Sequence, residues 1–177
     1  MKKNTLILLG CLTSCFSVLQ GSQLIRAAVY SKLETIQVLI TSSTTINFQD
    51  EAGCSALMMA VIMHRPANIL QAFIDAHADV NLQDNHDMTA LMYAACNGND
   101  SNIQALIATP SIDLNLQDRN GDTALMLAIQ NLNMPAALIL IAAGADIYLQ
   151  NNAGDCPARL LMKEDKSKTK TIARGVF

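Results

Sequence analysis

Apolar and polar positions recur along this chain at one spacing. An apolar–polar run appears four times, as Ile46-Asn47-Phe48-Gln49-Asp50, Val80-Asn81-Leu82-Gln83-Asp84, Leu114-Asn115-Leu116-Gln117-Asp118 and Ile147-Tyr148-Leu149-Gln150-Asn151, its starts offset by 34, 34 and 33. Five positions after each Asp or Asn comes Ser55-Ala56-Leu57, Thr89-Ala90-Leu91, Thr123-Ala124-Leu125 or Cys156-Pro157-Ala158. The apolar pairs Leu39-Ile40, Phe73-Ile74, Leu106-Ile107 and Leu140-Ile141 repeat at 34, 33 and 34. Three registers sharing one period identify a repeat architecture. The pattern predicts an all-α solenoid of about four units plus a partial C-terminal unit, each unit two helices and a hairpin loop.

Within a unit the residue types suit those elements. Ser55, Thr89 and Thr123 are placed to cap a first helix, their oxygens accepting from free amides. Leu57 with Ala60, Leu91 with Ala94, and Leu125 with Ala128 lie three apart on one apolar face, and the alanines imply close helix approach. Ile69, Leu70, Phe73 and Ile74 mark a second helix, and Gly144 suits the left-handed position after such a helix. Asp50 to Gly53 and Asp118 to Gly121 carry turn chemistry. Ser22 precedes Ser55 by the same repeat period, so the repeat domain is expected to span 22–161, its first unit lacking a preceding hairpin. Residues 162–177 read as a basic polar tail or an incomplete capping helix.

These residues resemble ankyrin repeats. The match is clearest from Asp118-Arg119-Asn120-Gly121-Asp122-Thr123-Ala124-Leu125 to Ala128, continued by Leu140-Ile141 and Gly144-Ala145-Asp146-Ile147. Proline at the family's Thr-Pro-Leu-His step survives only at Pro157, and Met58, Met92 and Met126 occupy the histidine position. The histidine's hydrogen bonds are therefore expected to be absent, replaced by soft packing. Asp87 and His77 stand where glycine is usual, so looser turns are expected there, and Thr109-Pro110-Ser111 is an inserted loop. The resemblance implies a non-enzymatic module that binds a partner protein on its concave face and hairpin fingers. The matching positions are Glu51, Ala52, Cys54, Ile62 and Met63; Asn85, His86, Met88, Cys96 and Asn97; and Arg119, Asn120, Asp122, Gln130 and Asn131.

Positions 1–21 read as an address. Lys2-Lys3 precede an uncharged run from Thr5 to Leu19, the pattern of a secretory signal peptide. Leu12-Thr13-Ser14-Cys15 resembles the bacterial lipobox, which implies lipidation of Cys15 as the first mature residue. Leu8-Leu9-Gly10-Cys11 is a poorer match, and cleavage after Gly21 is the competing site. An uncleaved anchor in a cytosolic protein and a buried N-terminal helix are the other readings. Export to a bacterial periplasm, or attachment to the outer membrane as a lipoprotein, is the expectation, with membrane contact only through that anchor.

Composition narrows the chemistry. The chain is 51% hydrophobic and 15% charged, too apolar for a disordered polymer. A net charge of −3 argues against a nucleic-acid binder. Thirteen acids between Glu34 and Asp155 face only Arg65 and Arg119, which either attracts a basic partner or is turn and solubility chemistry. No cofactor or metal is expected. The Asp118–Asp122 segment has glycine fourth and Ile129 at position twelve, which does not fit a calcium loop. His64, His77 and His86 fall in three different structural roles. Cys54, Cys96 and Cys156 have no accompanying base, and Cys54 and Cys156 lie three units apart. A monomer is expected, with an unknown protein partner in the same cell or in a host, where it would act as an effector. The alternative role is a periplasmic helper that stabilises an enzyme.

Overall fold

The computed structural model describes residues 20–42 and 45–163. The candidate lipidation residue Cys15 and the tail from residue 164 lie outside the described residues. Residues 20–30 are the described part of helix α1. There follow α2 (Leu33–Ser42), α3 (Ala56–Ile62), α4 (Ala67–Asp75), α5 (Ala90–Asn97), α6 (Asp100–Ile107), α7 (Ala124–Gln130), α8 (Met134–Ala142) and α9 (Pro157–Lys163). Among the described residues, four helix pairs and a single closing helix form the solenoid that the repeats predict.

Caps set each start. The side-chain oxygens of Ser55, Thr89 and Thr123 accept from the amides of Met58, Met92 and Met126 at 3.3, 3.2 and 3.3 Å. The methionines do more than pack. The backbone amides of Ser55 and Thr89 donate to Sδ of Met58 and Met92, each at 3.4 Å, closing a capping box with sulfur as the acceptor. Two of the three bonds expected to be lost with histidine are thus replaced, by a weaker acceptor. In the second helices Asn99 and Asn133 cap α6 and α8, while Pro66 precedes α4 with no side-chain cap.

Two rows of helices build the body. Helices α3, α5, α7 and α9 touch in succession, as do α2, α4, α6 and α8, and α3–α4, α5–α6 and α7–α8 pack within units. Ala60, Ala94 and Ala128 are fully buried, because a methyl is all that fits where the inner helices approach. Phe73, Leu106 and Leu140 are the matching anchors of the outer row, each fully buried. A core of this shape is a strip, so each unit is stabilised mainly by its neighbours.

Left-handed residues end several helices. Gly144 (φ 93°) serves as expected and Gly98 (φ 68°) does the same, but His64, His77 and Leu132 adopt φ of 52°, 61° and 59° in the same role. The turns at His77 and Asp87 are not looser. The His77 amide donates to Ile74 O at 2.9 Å, and the Asp87 amide to Asp84 O at 2.9 Å. What glycine's absence costs there is backbone strain, since Asp87 also sits at φ 60°. At the N-terminal end residues 20 and 21 are already helical, so α1 begins ahead of Ser22. Gly21 is buried, and a Cβ there would collide with the Phe48 ring.

Candidate functional site

The fingers that join successive units are turns built on one carboxylate or amide. Asp50 Oδ1 accepts from the amides of Ala52 (3.0 Å) and Cys54 (2.9 Å). Asp84 Oδ1 accepts from His86 (2.7 Å) and Met88 (3.0 Å), and Asp118 Oδ1 from Asn120 and Asp122, both at 2.8 Å. Asn151 does the same with Ala153 and Asp155. These acids fold the finger upon themselves, and their charge is largely committed to backbone N–H groups. Pairing beyond the turn is slight, with one β-bridge, Gln49 to Ser55, among the described residues.

Glutamines then zip finger to finger. Gln49 Nε2 donates to Gly53 O in its own finger at 2.5 Å and to Gln83 O in the next at 2.8 Å. Gln83 repeats this to Asp87 O (2.7 Å) and Gln117 O (3.0 Å), and Gln117 to Gly121 O (2.6 Å) and Gln150 O (2.9 Å). A parallel column links Asn47, Asn81 and Asn115 to the amides of Asp79, Asp113 and Asp146 at 2.8–2.9 Å. The recurring glutamine was visible in the sequence. Its bond to the following unit is a tertiary fact that a single-unit reading does not supply.

The finger tips meet in two ways. Asn85 N donates to Ala52 O at 3.0 Å while its side-chain amide donates to Glu51 O at 2.8 Å. Asn152 makes the same pair to Asn120 O and Arg119 O, both at 2.9 Å. Both asparagines lie against a glycine: a Cβ on Gly53 would be 2.8 Å from Asn85 Oδ1, and one on Gly121 2.9 Å from Asn152 Oδ1. At the middle junction the glycine is Asp87 and the asparagine is Arg119. There the tip bond from Arg119 N to His86 O lengthens to 3.3 Å, and Arg119 Nε reaches Asp87 Oδ2 at 3.7 Å instead. A Cβ on Gly53 or Gly121 would come nearer still to the neighbour's backbone N, at 2.6 and 2.8 Å, so a real Cβ spreads the tips as well as crowding the amide.

Of the fifteen expected contact residues, ten are exposed: Glu51, Ala52, Met63, Asn85, His86, Asn97, Arg119, Asn120, Gln130 and Asn131. Ile62, Met88 and Cys96 are half-buried. Cys54 and Asp122 are not at the surface, with 8% and 6% exposure. Each follows the tight finger turn and faces inward; Asp122 Oδ1 accepts from Asn151 Nδ2 at 2.6 Å, tying it to the next finger. At the helix ends Asn131 Nδ2 donates to Leu127 O (2.8 Å) and contacts Cys96 Sγ (3.7 Å), joining two units.

Sequence reasoning missed the floor beneath His86. Tyr93 Oη donates to Oδ2 of Asp84, which is 5% exposed. Burial first, then this bond and the Asp84 charge, push the Tyr93 hydroxyl well above the usual tyrosine range. Burial, helped by Asp50 and Asp84, pushes the Cys54 thiol up to about 11. Burial and Asp118 raise Cys96 as well. A thiol held protonated is a poor nucleophile. Cys54, Cys96 and Cys156 are free, and no three His, Cys, Asp or Glu side chains among the described residues converge as metal ligands. No helix among the described residues is long and apolar enough to cross a membrane.

A family model described as ankyrin repeats (3 copies) matches residues 24–118 and 63–151. No curated protein matches the chain.

Proposed function

The chain belongs to the ankyrin-repeat family, whose repeats generally mediate protein–protein interaction, and on that premise we propose that it is a non-enzymatic binding module using its fingers and inner-helix ends. The observation that carries this is the row of exposed tips, Glu51, Ala52, His86, Arg119 and Asn120, held by backbone bonds between fingers. Beside it runs a second row, Met63, Asn97, Gln130 and Asn131. Together they offer apolar, amide and charged groups on a preorganised frame, which lowers the entropic cost of association. The partner is a protein of the bacterial envelope or of a host.

Photo-crosslinkers at His86 and at Leu138, an exposed outer-helix position, test the face. Crosslinks from 86 alone support it; equal crosslinking from 138 refutes it. His86→Glu with Arg119→Glu should weaken the captured partner about tenfold with little change in thermal midpoint.

The export reading is carried by Lys2-Lys3, the apolar run to Leu19 and the lipobox-like Leu12–Cys15. Intact mass of the mature chain from its native host tests it. A start at Cys15 with acyl mass supports a lipid-anchored module, a start near Ser22 a soluble exported one, and an unprocessed Met1 refutes both.

A further inference from the structure

The first unit ends the solenoid with a face that interior units bury. Gln23 and Ala27 are in register with Ala56 and Ala60, and Leu39 with Phe73. Those three counterparts are at most 1% exposed, covered by the unit before them. In the first unit Ala27 stays buried, but Gln23 is exposed and Leu39 half-buried, and the three line an open cleft of about 310 Å³ with Arg26, Tyr30 and Ser31. Tyr30 is 83% exposed and the neighbouring Val38 67%.

We propose that this end face docks on an anionic lipid bilayer. Charge argues for it first. Residues 20–42 hold Arg26 and Lys32 against Glu34, whereas residues 45–163 hold four basic residues against twelve acids. The Arg65 guanidinium is taken by Val29 O and Ser31 O, and Arg119 and Arg159 face Asp87 and Asp155. An anionic surface therefore attracts the first unit and repels the units of residues 45–163, so beside a short tether those units stand away from it, while the basic tail (Lys166, Lys168, Lys170 and Arg174) is drawn to the same surface. Tyrosine beside arginine and lysine is also the side-chain chemistry of the headgroup region.

Reach argues for it second, resting here on the lipid-anchor reading. Cys15 precedes residue 20 by five positions, so an acyl chain on it holds α1 within about 17 Å of the bilayer. A tether that short leaves the first unit as the part of the body next to the membrane.

The chain has no tryptophan, so Tyr30→Trp supplies a single reporter and Tyr148→Trp, 65% exposed in the last finger, its control. The mature protein from its host is bound to phosphatidylcholine vesicles with and without brominated phosphatidylglycerol, and its mass is measured. The expected result is a blue shift and quenching at position 30, none at 148. Arg26→Glu with Lys32→Glu should then shift the docked-to-free ratio about tenfold toward free. An acylated, vesicle-bound chain with unquenched Trp at 30 overturns the docking and leaves the anchor standing. Equal quenching at 30 and 148 overturns the end-on arrangement. A blue shift without vesicles that grows with protein concentration assigns the face to a second copy and overturns the proposal. A mature chain without acyl mass removes the anchor reading; quenching at position 30 by anionic vesicles then supports the docking, and its absence overturns it.

Discussion

At Leu132 a bulky side chain occupies the left-handed conformation that Gly98 takes one repeat earlier. Its side chain is 68% exposed, so little packing offsets the strain. Leu132→Gly should raise stability by about 1 kcal/mol, seen as a higher denaturant midpoint at unchanged slope. The thiols give a second residue-scale expectation. Cys54 rises from 9.0 to about 11 in the folded chain, so the native state holds its proton more tightly. The stability this contributes is full below pH 9 and lost as pH rises through 11. Denaturation midpoints should fall over that window, less steeply in Cys54→Ala, and alkylation of native Cys54 should stay slow at neutral pH.

Residue identity revealed the caps and the turns but not their partners. Ser55, Thr89, Thr123 and Gly144 were readable because a cap is a local match between a side chain and its own backbone. Leu132 and His64 were not, since nothing local favours them in a left-handed turn and the fold imposes it. Cys54 and Asp122 were placed among contact residues by repeat position, yet the turn that follows Asp50 or Asp118 points them inward. Their burial depends on the next finger's arrival, which periodicity alone does not show.

Among elements, the finger junctions are pairs whose members constrain each other. Arg119→Asn alone should gain little, because the Asp87 side chain occupies the space the amide needs. Asp87→Gly alone relieves a left-handed residue and removes an exposed ion pair of little worth. The double variant restores the arrangement of Gly53 with Asn85, so its gain should exceed the sum by about 0.5–1 kcal/mol. A double-mutant cycle by chemical denaturation measures this, and additivity would refute the steric account. Tyr93→Phe tests the joint between finger and inner helix. It leaves a buried Asp84 oxygen without its donor, and should cost about 1–3 kcal/mol.

Across the whole molecule, stability passes from unit to unit, and among the described residues the two ends, the first unit and helix α9, are the most easily detached. The first unit has one described neighbour, and its coupling includes the Arg65 guanidinium on Val29 O and Ser31 O and the closeness of Gly21 to Phe48. Gly21→Val should overpack that contact at a cost of about 1–3 kcal/mol. Amide exchange is expected to quicken across α1 and α2 while α5 and α7 keep their protection. Uniform quickening would mean that the units unfold as one. The three periodic registers made the number and order of units legible, because every unit solves the same packing problem. What differs between units was hidden, since it lies in which neighbour touches which.

The middle finger junction also bears on how the solenoid carries load. Fingers bonded tip to tip act as links in series, and a series parts at its weakest link. Between Asp87 and Arg119 the tip bond is the longest of the three and the amide bond beside it is missing. Along the row of fingertips, tension should open this seam first, between the finger ahead of α5 and the finger ahead of α7. A partner gripping both His86 and Asn120 would span that seam as a splint.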